Sequence, residues 1–179
     1  MKISAKRVYD GRVIDVDLDT VRFPNGSTGE LEMVRHPGAS AIVPFLTDPH
    51  GDDPQILLIK QFRHAADSFI YEIPAGKLDG NEAPEVCARR EPREETGCTA
   101  EKVEHVYTFY TTPGFTDEKI HIFMASGLTR GESAHEKDEF MTLETVTLSR
   151  ALELVKRGDV VDGKTALALL FVAGFELGA

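Results

Sequence analysis

The first part of the chain alternates between apolar and acidic residues. From Val13 to Leu18 the two kinds follow each other in turn, which is typical of a strand with one buried face. Pro24-Asn25-Gly26 predicts a hairpin turn, and Leu31 to Arg35 follows as the returning strand. Short strands over residues 6–36 therefore predict a small N-terminal β unit, which we place at residues 1–37.

Longer apolar runs follow Gly38 and predict the core of a second unit, residues 38–179. Ala41 to Leu46 and Ile56 to Gln61 are joined by a polar loop, so they predict the two buried strands of a hairpin. The same reasoning predicts four more strands, at Phe69–Ile73, Val103–Tyr110, Ile120–Ala125 and Thr142–Leu148.

Three segments have helical character. Pro84 suits a first helical turn and Gly97 suits a helix end, so a helix is predicted from Pro84 to Glu95. Ser149 is the predicted N-cap of a second helix, and a third is predicted over 164–176. Strands and helices together predict a mixed α+β fold.

Composition narrows the class of protein. The chain has 179 residues and a formal net charge of −10, which disfavours a nucleic-acid partner. Its most apolar stretch, Ala166 to Phe175, is too short to span a bilayer. Cys87 and Cys98 have neither a disulfide pattern nor metal-site spacing. We therefore expect an acidic cytoplasmic protein without a nucleic-acid or membrane partner.

The chemistry-bearing segment is the predicted helix after Gly76. Glu91, Glu94 and Glu95 follow the spacing i, i+3, i+4 and share one helix face. Glu82 lies just before the helix and can approach the same end. Such a face is often merely solvated, but clustered carboxylate oxygens also suit Mg²⁺ or Mn²⁺.

The full spacing of this segment favours the metal site. The segment from Gly76 to Cys98 resembles the Nudix box, and that resemblance implies an α/β/α sandwich with a mixed sheet. It also implies a Mg²⁺-dependent hydrolase, with Mn²⁺ as the other candidate metal, acting on a nucleoside diphosphate linked to another moiety. The positions in register are Gly76, Glu82, Arg90, Glu91, Glu94, Glu95, Gly97 and Cys98.

The resemblance also implies roles for individual residues. Glu91 and Glu95 would bind metal directly, together with the carbonyl oxygen of Ala75. Glu94 would be a third carboxylate ligand and belong to the catalytic residues. The remaining box positions would be structural, with Glu82 and Arg90 forming a salt bridge and Gly76 and Gly97 shaping the backbone.

Pro92 departs from the box pattern, which usually has Leu, Ile or Val there. Proline removes an N–H inside a helix and clashes with the carbonyl four residues back, at a cost of about 3 kcal/mol. A kink is therefore expected between Glu91 and Glu94.

Beyond the box, residues 110–119 resemble the ADP-ribose pyrophosphatase branch of the family. Pro113 has the spacing associated with that branch, and the resemblance implies that it belongs to the substrate-binding residues. The same match implies substrate contacts by Arg63 and Glu118, and more weakly by Arg35. Arg63 makes physical sense, because a guanidinium can grip a diphosphate bidentately.

A polar loop at residues 135–140 is the candidate source of the catalytic base. Related enzymes place a glutamate and sometimes a metal ligand in this loop. Glu136 best matches the base and Asp138 is the candidate metal ligand, while Asp138 and Glu139 are alternatives for the base.

The predicted reaction is hydrolysis of ADP-ribose to AMP and ribose 5-phosphate. Two alternatives stay open: other nucleoside diphosphate sugars such as GDP-mannose, and a non-catalytic nucleotide sensor, for which only Pro92 speaks. The resemblance also implies a homodimer that pairs through its N-terminal β units. The strands of one such unit are too few to form a stable core alone.

Overall fold

The computed structural model describes residues 1–131 and 141–178. A 3₁₀ turn at His64–Ala66 and a π-helical turn at Val172–Glu176 accompany the regular elements. The strands are β1 (Lys2–Asp10), β2 (Asp15–Arg22), β3 (Thr28–Arg35), β4 (Ala39–Pro44), β5 (Gln55–Arg63), β6 (Ser68–Glu72), β7 (Ala75–Lys77), β8 (Cys98–Tyr110), β9 (Lys119–Arg130) and β10 (Met141–Thr147); the helices are α1 (Pro84–Thr96), α2 (Leu148–Arg157) and α3 (Gly163–Phe171).

The N-terminal strands form a sheet of their own, in the antiparallel order β1-β2-β3. The predicted hairpin turn is confirmed, since Phe23 N–H donates to the Ser27 carbonyl at 2.8 Å and Gly26 has a φ of 87°. The strands therefore agree with the sequence pattern, while the division into two domains near residue 37 stays a prediction.

The central sheet has the order β7-β4-β9-β8 and is mixed, because β4 and β9 are parallel and the other pairs antiparallel. A second sheet has the order β10-β5-β6. The predicted hairpin of β4 and β5 is therefore wrong. The two strands meet at the bridge between Phe45 and Ile56 and then join different sheets. Both runs are apolar, and an apolar run does not specify its pairing partner.

Helices cover both faces of the central sheet. On one face, Ala88 of α1 packs with Ile42 and Phe123. On the other, residues of α2 and α3 such as Leu154 and Leu169 share a larger apolar cluster with β4, β5 and β9. This arrangement confirms the predicted α/β/α sandwich.

The helix starts differ in detail from the sequence prediction. Thr147, not Ser149, caps α2, because its hydroxyl accepts the Arg150 N–H at 3.2 Å. The Ser149 hydroxyl instead donates to Asp53 at 2.8 Å. Asp162 caps α3 by accepting the Thr165 N–H at 3.0 Å. Within the described ranges, no helix is long and apolar enough to cross a membrane.

Candidate active site

Helix α1 is bonded to the central sheet near its start and is capped at its end. Near its start, the buried Ser40 of β4 donates its hydroxyl to the Pro84 carbonyl at 2.7 Å. At its end, Gly97 takes the left-handed conformation at φ 72°, and its N–H bonds the Arg93 carbonyl at 3.0 Å. The predicted helix end at Gly97 is thus observed, and α1 lies beside β4 and β7.

The short strand β7 brings its backbone against two box carboxylates. A Cβ atom at Gly76 would overlap the Glu91 carboxylate, so glycine is required for this close approach. The neighbouring Ala75 N–H donates to Glu95 Oε2 at 3.2 Å. Ala75, Glu91 and Glu95 therefore come together, as the metal-site prediction requires.

Arg90 forms hydrogen bonds with three of the box carboxylates. Its Nε and Nη2 donate to the two oxygens of Glu82 at 3.0 and 2.9 Å, which confirms the predicted salt bridge. Its Nη1 donates to Glu91 at 2.7 Å and to Glu94 at 2.9 Å. Arg90 thus balances part of the negative charge on this helix face.

The electrostatics of these groups differ from one residue to the next. Hydrogen bonds from Arg90 hold the pKa of Glu82 below its ordinary value. Burial raises the pKa of Glu91, and the charges of Glu94 and Glu82 add to the effect, although Arg90 opposes it. Burial also raises the pKa of the Cys87 thiol to about 11, so this thiol is protonated at neutral pH in the metal-free protein.

The donor chemistry fits a hard divalent cation better than a thiolate-seeking metal. Glu91, Glu95 and the Ala75 carbonyl supply oxygen donors of the kind that Mg²⁺ prefers. Among residues 1–131 and 141–178, no three His, Cys, Asp or Glu side chains surround a common point ready to hold an ion. Glu91 and Glu94 both accept hydrogen bonds from Arg90 Nη1 in this arrangement.

A cleft of about 570 Å³ opens beside β7. Arg63 and Glu118, two of the predicted substrate contacts, line it, as do Ala75 and Gly76. The cleft therefore joins the box backbone to the predicted substrate residues. The other lining residues are His36, Ala39, Lys77, Phe109, Thr111, Ile120, Asp162, Gly163 and Lys164.

Glu72, which the sequence analysis missed, bonds two positively charged residues of the cleft wall, Arg63 and Lys164. Arg63 donates to its two oxygens from Nε at 2.6 Å and from Nη2 at 2.9 Å, and Lys164 also contacts it. Burial acts to raise the pKa of Glu72, but the hydrogen bonds and charges of Arg63 and Lys164 outweigh it and hold that pKa below its ordinary value. A carboxylate inside the apolar strand Phe69–Ile73 was the available signal.

Glu72 also changes how Arg63 can meet a ligand. Arg63 was expected to bind a diphosphate with two parallel N–H groups, but its Nε and Nη2 already donate to Glu72. Contacts from Arg63 to a phosphate therefore fall to its remaining N–H groups, chiefly those on Nη1.

Two other predicted substrate contacts are not among the cleft-lining residues. Pro113 lies exposed in the connection between β8 and β9. Arg35 bonds instead to Asp17, Asp19 and Asp117. Their contact with substrate stays a prediction.

The predicted catalytic loop, residues 135–140, lies wholly outside the described residues. Glu136, Asp138 and Glu139 belong to residues 132–140, for which no placement is given. Their roles as base and metal ligand remain predictions from the sequence.

Comparison with known proteins adds a family to this geometry. The model of the NUDIX domain matches residues 36–168. A solved structure titled as an ADP compounds hydrolase has a TM-score of 0.81 at 22% sequence identity, covering 99% of this chain and 94% of that one. At that identity the likeness is one of fold.

Relatives with higher identity cover most of the chain. The ADP-ribose pyrophosphatase of Bacillus subtilis (strain 168) is 42% identical over 172 residues, 95% of this chain and 90% of that protein. The methanol dehydrogenase activator of Bacillus methanolicus is 40% identical over the same shares. A GDP-mannose pyrophosphatase of Salmonella typhimurium (strain LT2) is 39% identical over 127 residues, 65% of each chain.

Proposed function

The chain belongs to the NUDIX domain family, and we propose that it is a metal-dependent pyrophosphohydrolase that cleaves ADP-ribose to AMP and ribose 5-phosphate. One observation carries the proposal: the box carboxylates Glu91 and Glu95 meet the backbone of β7 at the edge of the cleft that Arg63 and Glu118 line. A relative named for this activity is 42% identical to the chain over 172 residues.

The metal would be held by Glu91, Glu95 and the Ala75 carbonyl, with Glu94 as a third carboxylate. Mg²⁺ is the proposed ion, and Mn²⁺ has the same preference for oxygen donors. Bound divalent ions supply charge neutralisation at the diphosphate and a water molecule of lowered pKa. Because Arg90 now shares Glu91 and Glu94, it would compete with the ion for these two side chains.

The cleft residues would bind and orient the substrate. Arg63, held in place by Glu72, offers its remaining N–H groups to a phosphate. The Glu118 carboxylate accepts the Thr111 hydroxyl at 2.9 Å, so it is held at the cleft wall as an acceptor for hydroxyl groups. Fixed partners of this kind favour one substrate orientation.

Glu136 is the proposed general base. The proposal depends on the family resemblance, with Asp138 and Glu139 as alternatives. A matched pair of variants, Glu136→Gln and Glu139→Gln, decides between the two glutamates by their turnover. If Glu139→Gln is the slower enzyme, the base is Glu139.

Hydrolysis of GDP-mannose or another nucleoside diphosphate sugar is the second candidate. The 39% identity to a GDP-mannose pyrophosphatase favours it. That match covers a smaller part of the chain than the 42% identity to the ADP-ribose enzyme, so ADP-ribose is the first choice.

A hydrolysis panel tests the function directly. ADP-ribose and other nucleoside diphosphate sugars are incubated with the protein and Mg²⁺, and the products are separated and quantified. We expect the highest kcat/KM for ADP-ribose, loss of turnover in EDTA, and recovery with Mg²⁺ or Mn²⁺. Full turnover in EDTA would refute the metal mechanism, and an inactive protein across the panel would leave the nucleotide-sensor alternative.

We also propose a cytoplasmic homodimer. Strand β1 is exposed along its whole length, and none of the β1–β3 residues belongs to the two apolar clusters found in the described chain. A three-stranded sheet without a core gains stability by packing against a second copy. Light scattering tests this, and a species of 19.7 kDa alone would contradict it.

A further inference from the structure

We infer that Arg35 is a positioning residue that locks Asp117 and thereby holds the segment 111–118 along the cleft. The inference rests on the proposed function, because it concerns how this segment presents Thr111 and Glu118 to a substrate. It assigns Arg35 an indirect role through Asp117 in place of direct substrate contact.

The guanidinium of Arg35 joins two parts of the chain. Nε donates to Asp17 at 3.1 Å, and Nη2 bonds the nearby Asp19, both on β2. Nη1 donates to Asp117 at 3.0 Å, in the connection between β8 and β9. A planar guanidinium has donors in fixed directions, so the two aspartates on β2 determine where Nη1 points.

The β2 aspartates are a rigid base for this arrangement. Asp17 and Asp19 have side chains only 8% and 7% exposed. They are two residues apart on one strand and therefore share a face. Buried carboxylates need charged partners, which ties Arg35 firmly to the N-terminal sheet.

Asp117 also forms hydrogen bonds with the backbone of residues 34–36. Its other oxygen accepts the His36 N–H at 3.1 Å. Val34 N–H donates to the Phe115 carbonyl at 2.7 Å, and Asp117 N–H donates to the Val34 carbonyl at 3.3 Å. Residues 34–36 thus run alongside 115–117, and we call this set of contacts the latch.

The latch continues directly into the cleft. Glu118 follows Asp117, and its carboxylate lies between the Thr111 hydroxyl at 2.9 Å and His36 Nδ1 at 3.2 Å. Thr111, Glu118 and His36 all line the cleft. Movement of Asp117 would therefore displace the neighbouring Glu118, while the box carboxylates on α1 would be unaffected.

The chain offers a matched control in Arg7. Arg7 Nε donates to Asp17 at 2.6 Å, on the carboxylate oxygen that Arg35 does not use. Arg7→Gln and Arg35→Gln each remove one arginine from the same buried aspartate, but only the second cuts the latch. Asp117→Asn weakens the latch from its other side and leaves Asp17 and Asp19 bonded to Arg35.

The experiment measures kcat and KM for ADP-ribose with Mg²⁺ in the full-length variants Arg7→Gln, Arg35→Gln, Asp117→Asn and the double variant of the last two. Loss of one charge-assisted hydrogen bond predicts a KM about tenfold higher in both latch variants, with kcat changed less than about threefold. Arg7→Gln should keep the parent KM. The double variant should resemble Arg35→Gln, because both changes break one interaction.

A raised KM in Arg35→Gln with a parent-like KM in Asp117→Asn would overturn the inference, since Arg35 would then act without Asp117. Multiplicative effects in the double variant would overturn it as well. Amide hydrogen exchange gives a readout independent of turnover: residues 111–118 should exchange faster in both latch variants and unchanged in Arg7→Gln. Unchanged exchange refutes the latch, whereas an inactive parent with the expected exchange pattern refutes the proposed function alone.

Discussion

Two arginines of this protein each hydrogen-bond three carboxylates, with different consequences. Arg90 lies in the box, and its partners come from one helix and the loop before it. Arg35 lies at the junction of the N-terminal sheet with the cleft, and its partners come from β2 and from the β8–β9 connection. The two sets are Glu82, Glu91 and Glu94 for Arg90, and Asp17, Asp19 and Asp117 for Arg35.

The two clusters differ in how well the arginine satisfies its carboxylates. In the Arg90 cluster Glu94 is 41% exposed, and the pKa of Glu91 is raised despite Arg90. In the Arg35 cluster, hydrogen bonds from Arg7 and Arg35 lower the pKa of Asp17. The ionised form of Glu91 is therefore disfavoured in the Arg90 cluster, whereas the ionised form of Asp17 is stabilised in the Arg35 cluster. An arginine among several carboxylates thus does not stabilise each of them in its ionised form to the same degree.

The largest effect is expected for Glu95, which lies on the same helix as Arg90 and is a proposed metal ligand. Glu95→Gln keeps the shape of the side chain but removes a proposed ligand charge, and loss of several kcal/mol of charge stabilisation predicts a kcat lower by about a hundredfold or more. Turnover with Mg²⁺ and the melting temperature are measured together. Glu85→Gln is the control, since Glu85 lies on the same helix and pairs with Arg89. Near-parent turnover of Glu95→Gln would exclude the ligand role.

The next prediction asks whether a metal can replace each arginine. Arg90→Gln should lower the melting temperature by several degrees in EDTA, because hydrogen bonds to charged groups contribute about 1.5–3 kcal/mol and three carboxylates lose theirs. Excess Mg²⁺ should restore most of that loss by binding the freed carboxylates. Arg35→Gln should also melt earlier, but without recovery in Mg²⁺. Equal recovery, or none, in both variants would mean that the clusters do not differ as described.

A smaller effect tests the opposite pKa directions in metal-free protein. The pKa of Glu91 is raised above its unfolded value, so its ionised form destabilises the fold at neutral pH and Glu91→Gln should raise the melting temperature. The pKa of Asp17 is lowered, so its contribution is present above its unfolded pKa and is lost as pH falls through the folded value. Asp17→Asn should therefore lower the melting temperature at neutral pH and weaken its acid dependence. Thermal melts from acidic to neutral pH check both, and shifts of the same sign at neutral pH would contradict the prediction.

The two clusters also show what the sequence could reveal. The salt bridge between Glu82 and Arg90 was predicted from the resemblance to the Nudix box, because both positions belong to that one short motif. Arg35 and Asp117 are separated by 82 residues, and no local pattern announces their pairing. The pairing of Glu72 with Lys164 was missed for the same reason, because the two residues are separated by 92 positions.

The sheet pairing shows the same limit at the level of the fold. The apolar runs of β4 and β5 were correctly predicted as buried strands, but adjacency in sequence suggested a hairpin that the structure does not contain. Strand character depends on local pattern, whereas pairing depends on which distant strands fill the neighbouring positions, here β7 and β9 beside β4. Burial was thus predictable and topology was not.

The smallest expected effect concerns Pro92, which lies in the helix that carries the Arg90 cluster. Helix α1 continues through Pro92 to Thr96, and the Pro92 side chain is buried, so a larger leucine risks overpacking. Pro92→Ala restores an N–H donor and a good helix former without added volume. The gain of up to about 3 kcal/mol is reduced by the lost ring contacts and by a more flexible unfolded chain, which leaves about 1 kcal/mol. For a chain of this size that corresponds to a melting temperature about 2–4 °C higher.

Turnover of Pro92→Ala should stay close to that of the parent, because Gly76, Ala75 and the helix ends already hold Glu91 and Glu95 in place. A large rise in turnover would instead mean that Pro92 distorts the spacing of the three box carboxylates on this helix and slows the parent enzyme.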